Sequence, residues 1–183
     1  IADCPNDAIF NRVGSLYLRF TSEKTPVHSD MLMWSKNDTN EGVMYQLLAI
    51  MFTVPQISVR FDNITNEHKK ILKYFLSFWR SHQEVLLDGG LELWGVDANY
   101  TVAKSKKDTE SVTVIYHSRP VTVENDENAY IFNSTGDDGI FVEVNKDRKY
   151  ELNDIFGECY ESGVLHKGIN RVNLQNCGMI FVK

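Results

Sequence analysis

Pro26-Val27-His28-Ser29-Asp30-Met31-Leu32-Met33-Trp34 decides the fold, read together with Pro55-Gln56-Ile57-Ser58-Val59-Arg60-Phe61-Asp62 further along. Each is a short run, apolar or β-branched, that opens after a proline and reaches an acidic residue, as a buried strand does when it delivers a side chain to its C-terminal end. Between them Val43, Met44, Leu47, Leu48, Ile50 and Met51 recur at helical spacing. Asp38 with Glu41 three residues later reads as a capping box, so a helix is predicted over Asp38–Thr53. A second helix is predicted from Thr65 or Asn66 to about Leu86, with Ile71, Leu72, Phe75, Leu76 and Trp79 inside and Lys69, Lys70 and Lys73 outside. Upstream, Ile9, Phe10, Val13, Leu16, Tyr17 and Phe20 form a helical stripe within Asp7–Phe20, weakened by Gly14. Helix, strand, helix, strand, helix is the order of αβ units on a parallel sheet.

Beyond Gly89-Gly90 the periodicity changes. Short β-rich runs follow at Ser111–Tyr116, Val121–Glu124, Ala129–Asn133, Ile140–Val144, Tyr150–Leu152, Val172–Leu174 and Met179–Val182, with reversals at Asn125-Asp126, Gly136-Asp137-Asp138-Gly139, Asn145-Lys146-Asp147 and Ser162-Gly163. This spacing predicts an antiparallel β-sandwich of about seven or eight strands, with the boundary between Asp88 and Asn99. The fold class is therefore α/β followed by all-β, in domains of residues 1–90 and 91–183.

With 183 residues, 43% of them hydrophobic, the chain can bury a sizeable core. Its formal charge of -6, with both signs interspersed, offers no sustained positive field, so nucleic acid is not an expected partner. The longest strongly apolar stretch, Tyr45 to Pro55, is too short to span a bilayer, and no signal peptide is visible; no membrane association is expected. Cys4, Cys159 and Cys177 contain no CxxC pair, which points to a reducing, cytoplasmic compartment rather than a disulfide framework. Asn37, Asn63, Asn99 and Asn133 open Asn-X-Ser/Thr tripeptides, which arise often by chance in an Asn-rich chain. His68, His82, His117 and His166 are scattered, so no metal site is expected. The P-loop, GxGxxG and nucleophile-elbow patterns are absent, and no cofactor is called for.

Among single residues Asp30 stands out. A carboxyl ringed by Val27, Met31, Met33 and Trp34 is partly desolvated, the setting in which a carboxylic acid holds its proton near neutral pH and serves as a general acid. His28, two residues earlier, shares its face if the strand runs through both, where it either orients the acid or bonds a neighbouring strand. Asp62 occupies the corresponding position after the second strand, but Asp62-Asn63-Ile64-Thr65 reads as a turn into a capped helix. Trp79 lies on a helical stripe and belongs to the core, Trp94 sits at the junction of the two halves and is expected to pack between them, and Trp34 is a candidate stacking surface.

Several ordered landmarks share a resemblance. Asp3-Cys4-Pro5-Asn6-Asp7 with Asn11-Arg12, His28-Ser29-Asp30-Met31-Leu32-Met33-Trp34, Val54-Pro55-Gln56-Ile57-Ser58, Phe78-Trp79-Arg80 through Val85-Leu86-Leu87-Asp88-Gly89, and Ala98-Asn99-Tyr100 together resemble the C-terminal part of family 36 glycoside hydrolases, the α-galactosidases. The resemblance implies a partial (β/α)8 barrel followed by a C-terminal β-sandwich, and a retaining α-galactosidase acting on α-galactoside oligosaccharides. It makes Asp30 the general acid/base, with Asp3, Cys4, His28, Arg12 and Trp34 lining the sugar pocket. The family's nucleophile motif is nowhere in the chain. The resemblance thus implies a fragment, inactive alone, whose partners are the remaining barrel polypeptide or a second copy of itself. A non-catalytic carbohydrate-binding or interaction module is the alternative.

Overall fold

The computed structural model describes residues 7–22 and 25–183. The chain divides into two compact units, Ile1–Gly89 and Gly90–Lys183. Helices occupy the first and sheet dominates the second, and among the described residues no closed barrel forms.

The first unit runs α1 (Ala8–Thr21), β1 (His28–Leu32), α2 (Asn40–Ala49), β2 (Val54–Ile57), α3 (Asn66–Ser81) and α4 (Gln83–Asp88). β1 and β2 pair in parallel as a two-stranded sheet, and α2 is the crossover between them. α2 is shorter than its apolar pattern suggests. Its cap is Thr39, whose hydroxyl accepts from Gly42 N at 3.0 Å, while Asp38 accepts from Ser35 N at 2.8 Å and holds the preceding turn. Asp38 is therefore not the capping residue. Val43, Met44, Leu47, Leu48, Ile50, Met51 and Phe52 are all 0–1% exposed, so the C-terminal half of this helix and the turn after it are deeply buried, as in a covered crossover. The predicted long second helix is broken at His82 into α3 and α4. α3 keeps its expected cap, Thr65 Oγ1 accepting from His68 N at 3.1 Å, and its expected inner stripe.

α1 turns the opposite face inward. Asp7 caps it by accepting from Ile9 N at 2.7 Å, but the buried positions are Asn11, Arg12, Ser15, Leu16 and Arg19, whereas Phe10, Tyr17 and Phe20 are 57–59% exposed. The apolar stripe predicted to face the core is on the outside, apart from buried Leu16 and half-buried Val13. Arg19 explains part of the choice: its guanidinium donates to the carbonyls of Leu87 and Gly89, closing the C-terminal end of α4. Burial there holds the Arg19 guanidinium below its ordinary value, opposed by the nearby Asp88 carboxylate.

The second unit contains ten strands, seven in one sheet and three in the other. In chain order they are β3 (Gly90–Trp94), β4 (Val102–Lys107), β5 (Glu110–Ile115), β6 (Val121–Val123), β7 (Asn128–Asn133), β8 (Ile140–Val144), β9 (Arg148–Asn153), β10 (Cys159–Leu165), β11 (Gly168–Val172) and β12 (Met179–Val182). The larger sheet runs β10-β9-β12-β7-β5-β4-β3 and the smaller β11-β8-β6. Residues from both meet in one core that includes Val102, Ile115, Ile131, Val142, Val144, Leu152 and Ile180. The expectation of purely antiparallel pairing is corrected at two places, since β5 pairs β7 and β6 pairs β8 in parallel. Both parallel pairs skip a neighbour in sequence, because β6 leaves the larger sheet's path to begin the smaller one. Asn133, in one of the Asn-X-Ser/Thr tripeptides, is fully buried and its amide donates to Asp137 O at 2.9 Å and Leu174 O at 3.2 Å. That amide is part of the fold and not a glycan acceptor.

Candidate functional site

The candidate centre lies on β1, whose ladder is irregular. His28 pairs with Val54 but Met31 pairs with Gln56, so one extra residue is accommodated on the β1 side. This is a β-bulge, a device that re-aims side chains and occurs often beside active sites. It works here through Ser29, whose buried hydroxyl accepts from Gln56 N at 2.8 Å and donates to Asp30 O at 2.9 Å, replacing a backbone rung by a side chain. Burial along β1 then falls on Ser29 and Leu32, three apart rather than two.

The bulge sets what Asp30 does. Its Oδ1 accepts from Met31 N at 2.8 Å. Its Oδ2 is shut away from solvent and has no hydrogen-bond partner among the described residues. The indole Nε1 of Trp34, four residues on, is buried and likewise has no partner among the described residues. Such groups are uncommon in folded proteins because each forfeits its hydration without compensation, at about 1–3 kcal/mol. One is an acceptor and the other a donor.

The remaining sequence candidates are distributed unevenly. His28 is exposed, with Nδ1 3.4 Å from Gln56 Nε2, and the bulge between it and Met31 breaks the simple alternation that put it on the face of Asp30. Arg12 is buried on α1, which packs against β1 and α2. Asp3 and Cys4 lie outside the described residues. Asp62 sits in the 3-10 turn Phe61–Asn63, where it forms an exposed ion pair with Arg60 at 2.9 Å. Trp79 is core, its Nε1 donating to Thr53 O at 3.0 Å. Trp94 ends β3 and packs against the second unit's own core.

Ser29 is the residue that sequence reading missed. A serine between two candidate polar residues carries no distinctive signal, and only the register of β1 on β2 shows that its hydroxyl stands in for a rung of the ladder. A second missed feature is an ion cluster in the other unit. Glu127, 1% exposed, accepts from Ser111 Oγ and from Glu124 N at 3.1 Å, and pairs with Lys104 Nζ at 2.5 Å. Burial alone would raise this carboxyl, but the Lys104 ammonium and the two hydrogen bonds outweigh burial and hold it below the usual glutamate range.

Among the described residues no three His, Cys, Asp or Glu side chains gather closely enough to hold a metal ion, and no helix is long and apolar enough to cross a membrane. Cys159 is exposed and Cys177 buried. Comparison with protein-family models and with curated proteins finds no match.

Proposed function

We propose that the first unit is a segment of the (β/α)8 barrel of a retaining α-galactosidase, that the second is a β-sandwich appended to it, and that Asp30 is the general acid/base. The observation that carries this reading is the Asp30 Oδ2, sequestered and unpaired on a bulged strand. An acid that must hand a proton to a glycosidic oxygen needs one oxygen kept clear of competing donors and of water, with the other anchored, and Oδ1 is anchored by Met31 N.

The sheet supports the same reading. Parallel sheets occur almost only with both faces covered and as parts of larger sheets. Here β1 and β2 form a single βαβ unit, and among the described residues neither outer edge is paired with a further strand. The neighbouring barrel strands would supply those partners. Asp30 is the sole carboxylate on β1 and β2, and a retaining mechanism needs a second carboxyl ~5–5.5 Å away to attack the anomeric carbon. In this proposal that nucleophile belongs to polypeptide outside this chain.

Two experiments test the proposal. The isolated chain is expected to leave an activated aryl α-galactoside intact, and steady turnover by it would refute the division of carboxylates. In an enzyme that includes this segment, Asp30→Ala should lower turnover of substrates with poor leaving groups by about 10²–10⁴-fold and spare good ones, since only a basic leaving oxygen needs the proton. Equal losses on both substrate types would remove the acid role.

A further inference from the structure

Seven strands against three leave part of the larger sheet without a strand opposite, and the second unit holds a pocket of about 230 Å³ there. Its floor is formed by β3, β4 and β5, and its wall by the segment leading into β6, the open edge of the smaller sheet. Cross-strand register places the floor residues on one face: Trp94 lies opposite Val102, and Glu92 opposite Lys104. Trp94 is partly buried, packs against the hydrophobic core and lines the pocket, so its indole is a restrained surface there.

The polar lining is balanced. It carries two carboxylates, Glu92 and Glu124, and two cations, Lys104 and Arg119, along with the Thr122 hydroxyl, which donates to Glu143 Oε2 at 3.0 Å and so offers a ligand only an acceptor. Lys104 is bound to Glu127 at 2.5 Å and Glu124 to Lys106 at 2.5 Å, which leaves Glu92 and Arg119 as the charged groups outside those two pairs. A lining with no net sign gives no preference for an anion or a cation. It does suit a neutral ligand with many hydroxyls, which donates to carboxylates and accepts from a guanidinium at once. An aromatic platform beside such groups matches a ring with an apolar face and a polar rim. The volume falls below the roughly 300–1,000 Å³ of pockets for larger ligands, which limits the occupant to a single ring.

We propose that this pocket binds one neutral sugar ring, stacked on Trp94 and hydrogen-bonded by Glu92, Arg119 and Thr122. The site lies wholly within the second unit, so it stands or falls independently of the galactosidase reading.

The test is a ¹⁵N–¹H NMR titration of the full chain with glucose, galactose and mannose, and with glucuronate and glucosamine as charged comparators, each to about 50 mM. At least one neutral sugar should shift the Trp94 indole N–H and the Thr122 amide saturably, with a Kd of roughly 1–10 mM. Glu92→Gln and Arg119→Ala, both at exposed positions and so expected to fold normally, should each weaken that binding about tenfold. The charged sugars should bind more weakly than the best neutral one. The proposal is overturned if no neutral sugar gives saturable shifts, if the shifts map away from the pocket, if both variants bind as the parent does, or if a charged sugar binds tightest.

Discussion

Removing the Glu127 carboxylate should destabilise the second unit by about 3 kcal/mol. The figure follows from what the side chain touches. Glu127 is 1% exposed and answers three donors: the Lys104 ammonium at 2.5 Å, the buried Ser111 hydroxyl, and Glu124 N at 3.1 Å. Breaking a buried ion pair from one side costs about 3–5 kcal/mol, because the other charge is left desolvated and alone. Lys104 is 12% exposed and can reach some water, which puts Glu127→Gln at the lower end of that range. The neighbouring pair of Glu124 and Lys106 provides the contrast. Glu124 is 67% exposed, so Glu124→Gln should cost less than about 1 kcal/mol. Native-state hydrogen exchange at the amides of β5 and β7 reads the loss in this unit alone.

A double-mutant cycle with Lys104→Met separates the pair from the packing, and a coupling of about 2 kcal/mol is expected. The pH dependence has a definite sign. Because the folded state holds the Glu127 carboxyl below its unfolded value near 4.5, the stabilisation is complete above that value and is lost as pH falls toward the lower folded-state value. Glu127→Gln should flatten that acid limb. A cost below about 1 kcal/mol for Glu127→Gln, an additive cycle, or an unchanged acid limb would refute the reasoning.

Two further perturbations probe the rest of the fold. Leu16→Ala should cost about 2–4 kcal/mol and Phe20→Ala less than about 0.5 kcal/mol in this chain, since Leu16 is 1% and Phe20 59% exposed; thermal denaturation giving the reverse order would mean that α1 buries its apolar stripe after all. Gly95→Ala should cost about 2–3 kcal/mol by the same assay, because Gly95 sits at a φ of 66° and an added Cβ would fall 2.5 Å from Thr101 Cγ2; an unchanged midpoint would contradict that crowding.

Strong local signals survived the comparison with the structure. The inner stripe of α3, the Thr65 cap and strands β5 to β9 and β12 were legible, because residues such as Ile131, Val142 and Ile180 are buried by the same alternation that marks them in the sequence; of β11 the expected run Val172–Leu174 caught only Val172. β3, β4 and β10 were missed. Two of them are the edges of the larger sheet and the third carries lysines at three of its six positions, so none shows a clean apolar period. α1 misled for a different reason. Its period identifies a helix but not which face is covered, and hydrogen bonds from buried Arg19 to carbonyls about seventy residues away set that face.

At the candidate site, Asp30 could be singled out from its neighbours, but its state could not. Periodicity and composition determined that the chain is helical with strands first and sheet-rich afterwards, since apolar spacing is a local property that each element expresses by itself. Tertiary structure alone decided that β1 bulges over Ser29, that Asp30 Oδ2 is left without a donor, and that β6 crosses to a second sheet and leaves a pocket beside Trp94. Those features depend on the register between segments distant in the chain, and register is settled by which partners satisfy one another's backbone groups.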